Sequence, residues 1–194
     1  MTFFVKTNNL DILKPKNIIR YANDKDIDQI ADTIVSSFYR YSGIFSGLQV
    51  LLRFTISEDL RHRLNHKPPL HKCLVTTTIE QNKSLIIGTV EISLRTSLWA
   101  PTPQYPYISN LAVRENYRRQ GLASNLLQKC EQIAFGWGYD QIQLHVLEQN
   151  KIALQLYLGH GYQIIKREPQ WLNLFQPGST RILLRKKLTN ANSS

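Results

Sequence analysis

The segment from Asn110 to Ser124 constrains the fold more than any other, because it joins a strand to a long helix through one basic loop. The apolar run Leu111-Ala112-Val113 predicts the strand, and Gly121 stands where the helix begins. Apolar residues then recur at helical spacing: Leu122, Leu126, Cys130, Ile133 and Trp137. A strand that turns sharply into an amphipathic helix is typical of α/β domains.

The start of this helix predicts an anion-binding site. The first backbone N–H groups of a helix have no intrahelical partner, and the helix dipole adds about half a positive charge there. Gly121 allows a bulky phosphate to approach, Ala123 keeps the next turn slim, and Arg118 and Arg119 add charge. A pyrophosphate would fit, whereas the dinucleotide-binding glycine fingerprint and the lysine-bearing P-loop are both absent.

Strand and helix patterns outside this segment predict one α/β domain. Further helices are expected near 27–38, 48–64 and 150–160, and the other strands near 18–21, 73–80, 85–95, 141–147, 162–167 and 181–188. Leu51 and Ile152 are expected on the packed sides of their helices. We expect residues 1–16 to form a flexible arm, 17–188 the domain and 189–194 a disordered tail.

Composition narrows the class of protein further. The 194 residues carry a formal net charge of +10, which favours acidic or phosphate-rich partners without choosing among them; direct nucleic-acid binding is not the favoured interpretation. No apolar run is long enough for a membrane span and no signal-peptide core opens the chain, so a cytoplasmic-type compartment is expected. Cys73 and Cys130 lie in apolar stretches and are expected to remain unpaired.

A family resemblance is visible at these residues. The pattern Arg-x-x-Gly-x-Ala from Arg118 to Ala123 resembles the acetyl-CoA loop of the GNAT (GCN5-related) N-acetyltransferases. The hairpin before it, then Asn150, Leu156-Tyr157 and His160-Gly161-Tyr162 after it, extend the resemblance over residues 17–188. The resemblance implies an α/β GNAT fold: a mixed, mostly antiparallel sheet of six to seven strands, splayed after the 107–113 strand, with helices on both faces.

The resemblance also implies acetyl-CoA as the co-substrate, and no metal is expected. In proteins of this kind the strand binds the pantetheine arm and the acetyl carbonyl through its backbone, while the loop holds the pyrophosphate. The implied cofactor-binding residues are Leu111, Ala112, Val113, Arg118, Arg119, Gln120, Gly121, Leu122, Ala123, Ser124, Asn150 and Tyr157.

Within the family, Tyr107-Ile-Ser-Asn-Leu together with Leu144-His145-Val146 is similar to the catalytic chains of eukaryotic N-terminal acetyltransferases. In those chains a tyrosine and a histidine at these places act through water. A looser similarity links the chain to the cyanobacterial and chloroplast GNAT branch, which acetylates both N-termini and lysines. The implied catalytic residues are therefore His145, Tyr107 and Tyr157.

The chemistry of amines supports a histidine base. An amine attacks a thioester only when neutral, and at pH 7 the neutral fraction is about 10% for an α-amine but about 0.04% for lysine. His145 suits proton uptake, Tyr107 would hold a water, and Tyr157 could return a proton to the CoA thiolate. The alternatives are a structural histidine in the sheet, a packing tyrosine and a helix-core tyrosine, respectively.

The acceptor is the open question. A protein N-terminus or lysine, entering between residues 39–52 and the Trp171/Phe175 loop, is the expected acceptor of a monomer or homodimer in the cytoplasm or plastid stroma. One alternative is a small-amine acetyltransferase acting on an arylalkylamine or polyamine. The other is a non-catalytic acyl-CoA-binding or nucleic-acid-associated module. The sequence assigns no role to the basic region from Arg53 to Lys67.

Overall fold

The computed structural model describes residues 17–38, 46–66, 70–95, 104–169 and 180–189. The predicted arm at 1–16, most of the predicted tail, and the acceptor-loop segments 39–45 and 170–179 lie outside these ranges. Its elements, in chain order, are β1 (Ile18–Tyr21), α1 (Ile27–Phe38), α2 (Ser46–His66), β2 (His71–Glu80), β3 (Lys83–Arg95), β4 (Tyr105–Val113), α3 (Leu122–Gly136), β5 (Gln141–Leu147), α4 (Lys151–Gly159), β6 (Gln163–Pro169) and β7 (Thr180–Lys187).

The seven strands form one mixed sheet in the order β1-β2-β3-β4-β5-β7-β6. Every neighbouring pair is antiparallel except β4 and β5, which run parallel. Gln81 and Asn82 make the tight turn between β2 and β3, both with positive φ, as a two-residue type I′ hairpin requires. The predicted mostly antiparallel sheet of six to seven strands is thus confirmed.

Helices cover both faces of the sheet. Cys73 and Val75 of β2 pack in the cluster that α1 and α2 bury, whereas Leu74 between them packs in the cluster of α3 and α4. Because successive residues of a strand point to opposite faces, the two helix pairs lie on opposite sides. The predicted layering is confirmed.

Strand β4 has a bulge in its pairing with β3. Thr89 pairs with Ala112 and Glu91 with Ser109, so two residues of β4, Asn110 and Leu111, lie opposite one residue of β3. A bulge bends its strand. The parallel pairing of β4 with β5 is accordingly confined to Tyr107 and Ile108, and the sheet opens beyond them, as the family resemblance implied.

Two predicted core positions are wrong. Leu51 of α2 is 60% exposed and Ile152 of α4 is 79% exposed. Ile152 lies in the first turn of a nine-residue helix, where Ala153, Leu156 and Tyr157 make the contacts with the core. None of the helices in the described ranges has the length and apolar character needed to cross a bilayer.

Candidate active site

The loop between β4 and α3 has the geometry of an anion cradle. Arg119 and Gly121 both have positive φ, 61° and 77°, which turns the chain sharply before α3 begins. No side chain caps the helix start at Gly121. The first N–H groups of α3 therefore point out of the helix end with no intrahelical acceptor.

Space around Gly121 suits a bound phosphate group. A Cβ placed on Gly121 would meet no atom within 4 Å. Arg118 donates from Nε to the Val113 carbonyl over 3.0 Å, and Arg114 donates from Nε to the Ile86 carbonyl over 2.7 Å, so both side chains fasten the loop to the sheet. Open space, unpaired N–H groups and basic side chains fit the pyrophosphate of acetyl-CoA.

The part of β4 that β5 leaves unpaired lies beside this cradle. β4 pairs with β3 again through Ala112 and Val113, but β5 has no register partner for residues 109–113. Strand peptide groups facing such a gap are available to an extended ligand. The predicted pantetheine-binding residues Leu111, Ala112 and Val113 thus lie where the sheet opens.

Tyr107 and His145 meet at the closed end of the gap. The Tyr107 hydroxyl lies 2.9 Å from His145 Nδ1, and Glu168 Oε2 lies 3.3 Å from His145 Nε2, within ion-pair distance but not aligned as a hydrogen bond. A carboxylate at Nε2 favours the proton on that nitrogen, so the Tyr107 O–H donates to Nδ1. The structure therefore brings the two predicted catalytic residues together, and the Glu168 carboxylate lies on the other side of the His145 ring.

The surroundings of His145 favour its neutral form. Burial lowers its pKa, the Arg181 charge lowers it further, and Glu168 opposes both, leaving the pKa below its ordinary value. Burial alone would raise the pKa of Glu168, but the Lys166 hydrogen bond and the nearby His145 bring it below its ordinary value. An ionised Glu168 next to a neutral His145 suits a base that receives a proton.

Tyr157 is buried within the cluster formed by α3 and α4. Burial raises its pKa, and the neighbouring Tyr107 and Cys130 raise it further. Its ring meets Tyr162 edge-on, with the centroids 5.9 Å apart. Tyr157 therefore keeps its proton at neutral pH and is chemically a hydrogen-bond donor.

Two other predicted cofactor residues have structural bonds of their own. Asn150 caps α4, since its side-chain oxygen accepts from the Ala153 N–H over 3.2 Å. The Ser124 hydroxyl and His160 Nε2 share a hydrogen bond of 3.0 Å. His160 therefore links the end of α4 to the first turn of α3.

Sequence reasoning missed a buried cluster around Glu91. This residue is 1% exposed; its carboxylate accepts from His71 at 2.8 Å, Arg63 at 3.2 Å and Asn110 at 2.5 Å. Burial alone would raise the pKa of Glu91, but the His71 bond and the Arg63 charge outweigh it and leave the pKa below its ordinary value. The only sequence signal is a carboxylate on the buried side of an apolar strand, where an unpaired charge would be costly.

The cysteines are not nucleophiles. Cys73 and Cys130 are both buried and unpaired, as expected. Burial raises the pKa of each thiol, so neither forms a thiolate at neutral pH.

Comparison with known proteins agrees with this geometry. Residues 30–162 match the model of the acetyltransferase (GNAT) family. The chain is 41% identical to GCN5-related N-acetyltransferase 4, chloroplastic, of Arabidopsis thaliana over 94% of this chain and 73% of that protein. It is 31% identical to the thialysine N-epsilon-acetyltransferase of Mus musculus over 54% of this chain and 63% of that protein.

The lengths of the relatives differ from that of this chain. It spans 55% of GCN5-related N-acetyltransferase 10, chloroplastic, and 58% of GCN5-related N-acetyltransferase 5, chloroplastic, both of Arabidopsis thaliana. Among solved structures, a chain of the NatC complex bound to Gag peptide and CoA superposes with a TM-score of 0.67 at 21% identity, covering 90% of this chain and 99% of that one. With the family match over most of its length, this chain belongs to the GNAT family of acetyltransferases.

Proposed function

We propose that this chain transfers the acetyl group of acetyl-CoA to an amine of a protein, either an N-terminal α-amine or a lysine ε-amine, with His145 as the general base. The observation that carries the proposal is the 2.9 Å bond between Tyr107 and His145, placed where β4 and β5 part. This position brings a base to the end of the gap that receives the thioester.

The donor occupies the gap and the cradle. Its pyrophosphate takes the free N–H groups at the start of α3, close to Gly121, and its pantetheine arm lies along the free edge of β4. The binding residues are Leu111, Ala112, Val113, Arg118, Arg119, Gln120, Gly121, Leu122, Ala123 and Ser124, with Asn150 and Tyr157 near the thioester.

The reaction is a direct transfer with both substrates bound. The neutral amine attacks the thioester carbonyl, forming the C–N bond as the C–S bond breaks. The amine proton passes through a water and the Tyr107 hydroxyl to Nδ1 of His145, and Tyr157 donates a proton to the departing thiolate. The products are an N-acetyl amide and the CoA thiol.

Three comparisons bear on the acceptor and the compartment. The NatC structure contains a peptide, which supports a protein acceptor, and the Arabidopsis relative is chloroplastic, which supports the plastid stroma. The similarity to the mouse thialysine enzyme favours a second candidate, acetylation of a small lysine-like amine. A peptide acceptor remains the first proposal because the aligned region of the thialysine enzyme covers only 54% of this chain.

A peptide library tests the proposal directly. The protein is incubated with acetyl-CoA and peptides of varied N-termini and internal lysines, with thialysine in a parallel reaction, and acetylated sites are located by mass spectrometry. His145→Gln and Tyr107→Phe are expected to lower kcat at least about a hundredfold and about tenfold, respectively. Tyr139→Phe removes a hydroxyl remote from the site and is the matched control. Unchanged rates in both active-site variants would remove the catalytic assignment.

A further inference from the structure

The sheet face that carries Tyr107 and His145 also carries arginines on both sides of them. Tyr107 lies beside Gln143 in the parallel register, and Gln143 lies opposite Arg185. Cross-strand partners share a face, so Arg185 stands two strands from Tyr107, roughly 10 Å away in strand spacing. On the other side, the Arg95 guanidinium carbon lies 3.6 Å from the centroid of the Tyr107 ring.

A third cation is close to the base. Arg181 lies opposite Leu147, the next residue on the same face of β5 after His145. Its charge and that of Arg95 both act on the His145 ring and lower its pKa. The nearby carboxylate, Glu168, is shared between His145 and Lys166.

Arg95 and Arg185 are not neutralised by any carboxylate within the part of the chain that the structure describes. Neither Arg95 nor Arg185 forms an ion pair with a described carboxylate. Arg185 Nε is buried without a hydrogen-bond partner, and its guanidinium carbon lies 5.2 Å from the Tyr105 ring centroid.

The internal segments that the structure does not describe contain no acidic residue that could neutralise Arg95 or Arg185. Residues 39–45, 67–69, 96–103 and 170–179 contain neither Asp nor Glu. An acceptor that enters beside these loops therefore meets a face with excess positive charge. Such a face repels a polyamine and favours the neutral, reactive form of the attacking amine.

We propose that the acceptor carries a carboxylate close to the amine, at the second or third residue of an extended peptide, and that Arg95 and Arg185 bind this carboxylate. This inference rests on the proposed function and names its substrate class. The two guanidinium groups lie against the rings of Tyr107 and Tyr105, which are two residues apart on β4. An extended chain advances about 3.3–3.6 Å per residue, so an acidic side chain one or two residues beyond the amine at Tyr107 reaches them. Guanidinium groups bind carboxylates in two-pronged geometry, which a lysine does not reproduce.

Paired peptides that differ only in charge test the inference. Peptides with Asp or Glu at the second or third position are compared with their Asn or Gln counterparts by kcat/KM at fixed, saturating acetyl-CoA. We expect the acidic member of at least one pair to react about tenfold faster, the effect of one charge-assisted bond. Raising the salt concentration should reduce this ratio.

Arginine variants then test whether Arg95 and Arg185 bind the carboxylate of the acceptor. Arg95→Gln and Arg185→Gln, separately, are expected to bring the ratio of acidic to neutral rates towards one, whatever happens to the absolute rates. Lys129→Gln makes the same change of charge on the exposed side of α3 and should keep the wild-type ratio.

Each remaining outcome has a definite consequence. Equal rates for acidic and neutral peptides in the wild type would overturn this inference and leave the proposed function intact. A preference that survives both arginine variants would overturn the assignment to these residues. A protein that binds acetyl-CoA but acetylates no peptide would overturn the proposed function and this inference with it.

Discussion

Asn110 donates from its side-chain amide to Glu91 over 2.5 Å while holding a left-handed backbone conformation with φ of 53°. Asparagine tolerates this conformation better than most residues, and the bond to a buried carboxylate fixes it in place. The bulge of β4 is thus held by a residue of β3, and Glu91 also accepts from Arg63 of α2. Helix α2 and strand β4 therefore share one buried carboxylate.

Glu91→Gln is expected to lower the free energy of unfolding by about 2 kcal/mol, since it leaves the partly exposed Arg63 and the buried His71 without their charged acceptor. KM for acetyl-CoA should also rise, because the bulge loses its anchor. Urea unfolding and initial rates measure the two effects. Glu58→Gln, an exposed change on α2, is the control; wild-type stability and KM in Glu91→Gln would contradict the role.

The lowered pKa of Glu91 also predicts how the stability of the protein depends on pH. The pKa of Glu91 is lowered in the folded protein, so its stabilisation is present above the pKa of the unfolded chain and is lost as pH falls through the folded pKa. Below about pH 4.5 the wild type should lose stability more steeply than Glu91→Gln. Parallel curves of unfolding free energy against pH would show that Glu91 contributes nothing to this loss.

Gly121→Ala separates strain from ligand binding. The positive φ of Gly121 costs an alanine about 1 kcal/mol of stability, while its new methyl group occupies the open space assigned to a phosphate. Gly138→Ala carries a similar strain, with φ of 86° and open space, at the far end of α3. Calorimetry should show weaker acetyl-CoA binding for Gly121→Ala alone. Equal affinities for acetyl-CoA in the two variants would contradict the proposal that a phosphate binds next to Gly121.

The pH profile of the reaction should report the charges around His145. Because the pKa of His145 is lowered, protonation of this base should reduce kcat/KM only below pH 6.5, and we call this fall the acid limb of the profile. Glu168→Gln removes the group that raises this pKa, so the limb should move to lower pH; Arg181→Gln should move it to higher pH. Profiles of kcat/KM for one peptide measure both shifts, and His145→Gln should lack the limb. Shifts in the same direction would argue against His145 as the titrating base.

Asn150 has an observed cap and a proposed cofactor role, which two variants separate. Asn150→Ala loses the cap of α4 and about 1 kcal/mol of stability, whereas Asn150→Ser keeps a capping oxygen. If Asn150 also contacts the donor, the serine variant should recover the thermal stability but not the KM for acetyl-CoA. If the serine variant recovers both the thermal stability and the KM for acetyl-CoA, Asn150 acts only as the cap of α4.

Much of the fold was predictable because its signals are local. The strand alternation of residues 141–147 and the helical spacing from Leu122 onward each depend on a few neighbouring side chains, and β5 and α3 form there. Ile152 and Leu51 were predicted wrongly because spacing identifies the apolar stripe of a helix but not which of its turns the sheet covers.

The site was predictable only in part. Tyr107 and His145 were expected together through the family resemblance, and their 2.9 Å contact agrees. Glu168 of β6 reaches His145 of β5 across the intervening strand β7, and sequence spacing does not reveal this strand order.

The sequence by itself determined the sharp turn into α3 that is proposed to bind a phosphate, because a glycine, its basic neighbours and a helix start are adjacent in the chain and fold by local rules. Only the tertiary structure decided the cluster around Glu91 and the arginines beside Tyr107. Those contacts join residues up to 80 positions apart (Tyr105 and Arg185), and they exist only once strand order and register have placed the charges on one face.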